Sequence, residues 1–128
     1  MQYGICPLSI VPLRAEPKNT SEQTSQLLYG EFFTILDLQK SWSKIQNEGD
    51  GYNGWINNKH FQFIDKRIFQ KLQATKKKYA VELVDFIWKD GDILFPTPIG
   101  SLVSSAQTLG HRFEGKELFE TKSKTKLV

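Results

Sequence analysis

The stretch Asp50-Gly51-Tyr52-Asn53-Gly54-Trp55-Ile56 combines a turn signal with a side chain that can bind a ligand. Glycine adopts backbone angles that cost other residues energy, so two glycines within four positions predict a tight turn. Tyr52 lies between them, on a tip too short to bury its amphipathic ring, and we expect it to be exposed. The spacing alone favours a turn aromatic that covers the edge of the core over one that contacts a ligand.

Cysteine and histidine are the usual nucleophile and base of a cysteine hydrolase, but their sequence surroundings here do not favour catalysis. A catalytic thiol needs a helix N-terminus or a neighbouring positive charge to lower its pKa, and the extended apolar segment around Cys6 offers neither. We therefore expect Cys6 to be a small buried side chain. His60 and His111 have no second ligand at a metal-binding spacing. The sequence predicts no catalytic residue, no metal site, no cofactor and no hydrolytic activity of this chain alone.

Composition limits the class of protein further. A length of 128 residues suits one compact domain or two very small ones, and 39% apolar residues is ordinary for a globular protein. Residues 1–65 carry five Lys or Arg and seven Asp or Glu, a net charge of −2. Residues 66–128 carry twelve and seven, a net charge of +5. This asymmetry indicates two units but is too weak to indicate a nucleic-acid partner, and we expect none.

Targeting signals are not visible in the sequence. The first residues lack the basic and apolar regions of a signal peptide, and no apolar stretch is long enough to span a membrane. A single cysteine excludes an internal disulfide, so nothing demands an oxidising compartment. We expect a cytoplasmic protein without a membrane partner, or a periplasmic or envelope protein if a leader has been removed.

Short β segments with frequent turn signals dominate the chain. Residues 32–38, 42–46 and 54–57 are predicted strands, and this rhythm is typical of a small barrel or sandwich. A second β series is expected from Tyr79 onwards. Helix is expected only over residues 20–28, after a capping residue at Ser21, and over residues 65–74.

Two separate small cores are expected from this pattern, one in each half of the chain. The first would form around Ile35, Trp42 and Trp55, with both tryptophans at the core or its rim. The second would form around Val81, Leu83 and Val103. Arg14 and Glu31 are candidates for an ion pair across the first unit, a contact worth little at a surface.

With these residues in view, the first 65 positions resemble a bacterial SH3 domain. The resemblance rests on the following pieces: Val11-Pro12-Leu13-Arg14, Ser21-Glu22, Gln26 to Glu31, Trp42 with Lys44-Ile45, and Asp50 to Ile56. The same ordered set is similar to the N-terminal region of NlpC-type cell-wall cysteine peptidases, in the dipeptidyl-peptidase VI-like branch. Residues 75–128 resemble the second SH3-like module of that branch, through Ile99 to Leu102 and Phe113-Glu114-Gly115.

This resemblance implies an all-β chain of two small SH3-like barrels joined by a short helical connector. The first domain would span residues 1–65, the connector residues 66–78 and the second domain residues 79–128. The last residues would form a linker to a catalytic domain. In the family that domain carries a cysteine nucleophile with histidine partners, and no segment of this chain matches it.

The resemblance also implies a function and a site. The family hydrolyses γ-D-glutamyl–diamino acid bonds in peptidoglycan-derived peptides, as in muropeptide recycling. Its first SH3 module closes one end of the active-site cleft and binds the free N-terminus of the peptide. By position, Tyr52 and Glu22 would be the substrate-binding residues. For Glu22 a second interpretation stands equally, in which its carboxylate only caps a helical turn over residues 21–28.

The predicted function is thus substrate recognition for a cell-wall peptide endopeptidase, with the catalytic domain and the free N-terminal peptide as partners. An autonomous module that binds intact peptidoglycan is the first alternative. A proline-rich-peptide adaptor is the second, but it needs a row of exposed aromatics, and the sequence offers only Tyr52 and Trp55.

Overall fold

Short antiparallel strands make up most of the structure, a computed structural model that describes residues 1–82, 84–113, 117–120 and 125–127. The first seven strands of the described residues are β1 (Gln2–Ile5), β2 (Ile10–Arg14), β3 (Gln23–Leu28), β4 (Phe32–Leu38), β5 (Trp42–Asn47), β6 (Asn53–Asn57) and β7 (Gln62–Ile64). The later strands are β8 (Lys78–Ala80), β9 (Val84–Lys89), β10 (Asp92–Pro98), β11 (Arg112–Phe113), β12 (Glu117–Glu120) and β13 (Thr125–Leu127). The helices of the same residues are α1 (Lys66–Ala74) and two short 3-10 helices, Asn58–His60 and Val103–Ser105.

These strands form three antiparallel sheets. The first is seven-stranded, in the order β3-β2-β6-β5-β4-β1-β7, and the other two are three-stranded, in the orders β10-β9-β11 and β13-β12-β8. Among the described residues no sheet passes through both halves of the chain, and none is closed. The prediction of a β-rich chain is confirmed, with one α-helix. Strand β13 lies within the segment expected to be a linker, while Lys122 and Lys124 lie outside the described residues.

The register of the first sheet determines which side chains form its core. On β5, Ser43, Ile45 and Asn47 are buried and alternate with outward-facing residues. The core cluster on the buried face contains Cys6, Val11, Leu13, Leu27, Phe33, Ile35, Ile45, Ile56 and Phe61. Ile35 belongs to this core as predicted. Trp42 and Trp55 do not, because strand alternation places them half-buried on the opposite face.

The helix α1 begins at Lys66, where Asp65 caps it by accepting a hydrogen bond from the Ile68 amide at 2.8 Å. Its buried face carries Phe69 and Leu72, which pack with residues of the first sheet. Tyr3 of β1 stacks on the Phe69 ring, with the ring centres 4.1 Å apart. The helix therefore contributes to the core, in the range where the apolar spacing predicts it.

The prediction of two separate cores is wrong. One cluster joins Leu102 to Phe32 and Phe69, and another joins Tyr29 of the first half to Ile87 and Ala106 of the second. Of the residues predicted to form a second core, Val103 is buried and Val81 is half-buried. Leu83 lies outside the described residues, as do Glu114 and Gly115 of the family resemblance.

The contact between the halves is made by the turn at Tyr29 and Gly30, between β3 and β4. The Tyr29 carbonyl accepts a hydrogen bond from the Leu102 amide at 2.7 Å, and the Gly30 carbonyl accepts one from the Ser105 hydroxyl at 2.8 Å. The Tyr29 hydroxyl and His111 Nδ1 lie 2.7 Å apart. Because buried backbone groups are costly unless paired, these bonds fix how the turn sits in the second half.

The helical turn predicted over residues 20–28 is also wrong, since Gln23–Leu28 is strand β3. It pairs with β2, placing Leu27 opposite Val11 in the core. Pairing and burial outweigh the local capping signal at Ser21, whose hydroxyl instead accepts a hydrogen bond from the Glu16 amide at 2.9 Å. The expected ion pair is replaced as well: Arg14 donates to the Ser21 carbonyl oxygen at 3.0 Å.

Substituting Gly30 tests the contact between the halves. Gly30 has φ +82°, and an added Cβ would overlap the carbonyl oxygen of Leu102. Gly91 is the matched control, because its φ is +84° with nothing within 4 Å of an added Cβ. Gly91→Ala should cost about 1–2 kcal/mol of unfolding free energy, for the left-handed backbone alone. Gly30→Ala should cost at least about 3 kcal/mol, since hydrogen bonds to Leu102 and Ser105 are also disrupted. Urea melts measure both, and equal losses would contradict the packing described here.

Candidate functional site

The turn between β5 and β6 is organised by Asn47, a buried polar residue that is 3% exposed. Its backbone N–H donates to the Tyr52 carbonyl oxygen at 2.9 Å, and its backbone carbonyl oxygen accepts from the Gly51 N–H at 2.9 Å. Its side-chain Oδ1 accepts from the Gly49 amide at 3.2 Å. Gly51 has φ +72°, the left-handed backbone that favours glycine. The turn is therefore a defined structure and not a loose tip.

Tyr52 is exposed at the end of this turn, as predicted, with 41% of its surface accessible. Its amide donates to Asp50 Oδ1 at 2.9 Å, which fixes the backbone beneath the ring. Its hydroxyl donates to the Thr24 carbonyl oxygen at 3.3 Å, at the start of β3. The phenol thus reaches across to the backbone of β3, two residues after Glu22. The sequence did not indicate Thr24, because this contact joins residues 28 positions apart.

Glu22 ends the loop between β2 and β3. The Glu22 carbonyl oxygen accepts a hydrogen bond from the Ala15 amide at 2.9 Å, and its neighbour Ser21 is buried. The side chain of Glu22 is exposed. Because residues 23–28 form a strand, the interpretation of Glu22 as a helix cap is wrong. A fixed backbone under an exposed carboxylate is what a recognition role for Glu22 requires.

Trp42 and Trp55 lie on the outer face of the first sheet, where both are half-buried. Trp55 is opposite Lys44 on β5 and opposite Arg14 on β2. Trp42 is opposite Asn57 at the other end of the β5–β6 pair. Trp55 therefore lies three residues after Tyr52 in the sequence, and its partners on both neighbouring strands are cationic residues.

Glu31 is a feature of this region that the sequence did not assign to the site. Its Oε1 accepts from the Leu28 amide at 2.6 Å, and its Oε2 accepts from the Asn47 side-chain amide at 3.1 Å. Burial raises the pKa of the Glu31 carboxyl, an effect that both hydrogen bonds oppose. Asp50 adds to the increase and Lys77 opposes it. The sequence indicates that Gly30-Glu31 ends a turn, but it does not indicate that Glu31 contacts Asn47.

Cys6 is a small buried side chain, as the sequence predicts. Cys6 is completely buried, and its thiol donates to the Leu8 carbonyl oxygen at 3.3 Å. Burial raises its pKa from 9.0 to about 12, so at neutral pH the thiol does not ionise to a nucleophile. His111 contacts the Tyr29 hydroxyl, and burial lowers the pKa of its imidazole.

The described residues contain no group of three or more His, Cys, Asp or Glu that could hold a metal ion. In that part of the chain, no helix is long and apolar enough to cross a membrane. A surface hollow of about 320 Å³ in the second half is lined by Lys78, Ser104, His111 and Arg112, among others. It contains neither Tyr52 nor Glu22.

Comparison with known families supports the sequence resemblance. Residues 13–61 match the family model described as the bacterial dipeptidyl-peptidase SH3 domain. No curated protein matches the chain. The matched segment runs from β2 to the residue after the first 3-10 helix, and it contains Glu22, Trp42, Tyr52 and Trp55. Residues 13–61 are therefore similar to the SH3 domain of dipeptidyl-peptidase type proteins, and this similarity supports a binding or targeting module.

The raised pKa of Cys6 predicts a specific alkaline response. A thiol with a folded-state pKa of about 12 and an ordinary pKa of 9.0 contributes stability that is present below pH 9. That contribution is lost as the pH rises towards 12. The free energy of unfolding should therefore fall between pH 9 and pH 11, with a smaller slope in Cys6→Ala. Urea melts across this range provide the measurement, and equal slopes in both proteins would contradict it.

Proposed function

We propose that the SH3-like domain recognises the free N-terminus of a peptidoglycan-derived peptide for a γ-D-glutamyl–diamino acid cysteine endopeptidase. The observation that carries the proposal is the position of Tyr52. It is exposed within the segment that matches the dipeptidyl-peptidase SH3 domain, and its hydroxyl bonds the backbone of Thr24 on β3, two residues after Glu22. Peptide recycling in the cytoplasm is the setting that we propose.

The hydrogen bond of the Tyr52 hydroxyl leaves its oxygen able to accept. Because the proton is directed at the Thr24 carbonyl, the phenol oxygen keeps its lone pairs for another donor. A peptide ammonium has three N–H donors and a positive charge. One donor can bind the phenol oxygen, and another can form a charge-assisted bond with the Glu22 carboxylate. The pair would therefore select a cationic N-terminus.

This arrangement discriminates against blocked peptides. An acetylated N-terminus is neutral and offers a single amide donor, so the Glu22 carboxylate would lose its charged partner. A site built to pair polar groups rejects analogues that leave those groups unpaired, more strongly than an apolar pocket rejects a small change in size. Recognition of a free N-terminus would confine cleavage to peptides already released at that end.

Bond cleavage is assigned to a separate catalytic domain, carried by the same polypeptide or supplied by a partner. The buried thiol of Cys6 is protonated at neutral pH and cannot attack a peptide carbonyl. The second half of the chain would support this arrangement as a second SH3-like module. Its contact with Tyr29 and Gly30 holds it against the recognition domain.

Binding measurements on the 128-residue chain test the proposal. The probe is a synthetic peptide containing a γ-D-glutamyl–diamino acid bond, prepared with a free or an acetylated N-terminus. Tyr52→Phe should weaken binding of the free peptide by about 1–2 kcal/mol, and Glu22→Gln by about 1.5–3 kcal/mol, because the second bond is charge-assisted. Tyr52→Phe should leave thermal stability nearly unchanged, because the side chain is exposed. Calorimetry and thermal melts measure these quantities.

The matched controls are Glu16→Gln, which neutralises a carboxylate on the same loop, and Tyr3→Phe, which removes a hydroxyl from a ring stacked on α1. Neither should change affinity, and the acetylated peptide should bind all variants weakly. The proposal fails if free and acetylated peptides bind equally. If the chain binds intact peptidoglycan and neither Tyr52→Phe nor Glu22→Gln weakens that binding, the autonomous binding module is favoured instead.

A further inference from the structure

Asn47 connects the turn that carries Tyr52 to the interior of the protein. Three of its polar groups bond within the turn, to Gly49, Gly51 and Tyr52. The fourth, the side-chain NH₂, donates to Glu31 Oε2 at 3.1 Å. Since Asn47 is buried, an unpaired group at this position would be costly.

From these contacts we infer that Glu31 is a positioning residue for the Tyr52 turn, an inference that rests on the proposed function. Glu31 adjoins Gly30 in the buried turn, and its carboxylate joins two separate parts of the domain. One oxygen accepts from the Leu28 amide on the β3 side, and the other accepts from Asn47 on the β5 side. The recognition turn is thereby held against the element that the second half of the chain contacts.

Only a side chain with two acceptor oxygens satisfies this geometry. Leu28 and Asn47 both present N–H donors to the residue at position 31, and an ionised carboxylate accepts from both. Glutamine has one oxygen and one NH₂ group, so it would face a donor with a donor on one side. If the Asn47 side-chain amide rotated to present its oxygen to the glutamine, its NH₂ group would face the Gly49 amide, which is also a donor.

A small cavity lies beside the Glu31 carboxylate, where the two halves of the chain meet. A space of about 20 Å³, enough for a water molecule, is lined by Glu31, Asn47 and Gly49 of the first half. Lys77, Tyr79 and Leu102 of the second half line its other side. The Lys77 ammonium also lies 5.8 Å from the centre of the Phe32 ring. Both halves therefore surround the group that holds the recognition turn.

A swap of acceptor and donor tests the inference without relying on loss of function alone. In Glu31→Gln combined with Asn47→Asp, the new glutamine accepts from Leu28 and donates to the new aspartate, which still accepts from Gly49. All three hydrogen bonds are therefore restored. Each single variant breaks one of them. Glu48→Gln is the control, because it neutralises a carboxylate of the same turn that bonds Gln73 instead of Asn47.

Amide hydrogen exchange at Gly49 and Gly51, followed by NMR, is the first readout. Each single variant should accelerate exchange there by about tenfold or more, and the double variant should return it to within about threefold of the wild-type rate. The Ala15 amide, bonded in the loop that contains Glu22, should be unaffected in all variants. Glu48→Gln should behave as wild type.

Affinity for the free N-terminal peptide is the second readout, and it should follow the same order. In a Tyr52→Ala background Glu31→Gln should have no further effect on affinity, because it acts through Tyr52.

Unchanged exchange in Glu31→Gln, or no recovery in the double variant, would overturn the inference. If the wild-type chain binds no peptide while exchange follows the expected order, the proposed function fails and the positioning role stands. If a single variant does not fold, recovery in the double variant still supports the inference, and an unfolded double variant overturns it.

Discussion

The insertion of the Tyr29–Gly30 turn into the second half is the interaction on which the rest of the structure depends. Both carbonyl groups of this turn are paired with residues more than 70 positions away, and the Tyr29 ring is completely buried. Buried backbone groups cost free energy unless they are paired, so this contact allows little adjustment. In the described part of the chain, the three open sheets are therefore held together by shared packing and by a few directional hydrogen bonds instead of by continuous strand pairing.

The same turn supports the candidate site from within. Glu31 follows Gly30 and bonds Asn47, which closes the turn presenting Tyr52. Tyr52 presents an exposed ring, and the turn that carries it is closed by the buried residue Asn47. In the proposed site, this division between an exposed side chain and a buried support is expected, because a binding site must hold its geometry without a ligand. It also explains how a small domain can keep a short turn ordered.

Local features of the sequence predicted local features of the structure. The helix over residues 66–74, the strand over residues 32–38 and the exposed ring of Tyr52 follow from apolar spacing and turn chemistry. The helix expected over residues 20–28 failed because pairing with β2 outweighs a capping signal. The family resemblance placed Tyr52 and Glu22 in one domain, but it did not indicate the role that we propose for Glu31. That role depends on a through-space contact with Asn47, which no local pattern indicates.

A structure of the chain with a free N-terminal γ-D-glutamyl–diamino acid peptide would test the central claim most directly. We predict that the peptide ammonium lies within hydrogen-bonding distance, about 2.7–3.2 Å, of both the Tyr52 hydroxyl oxygen and a Glu22 carboxylate oxygen. The Tyr52 hydroxyl should keep its bond to Thr24. A peptide bound instead in the hollow lined by Lys78, His111 and Arg112 would contradict the account, as would a peptide whose ammonium points into solvent.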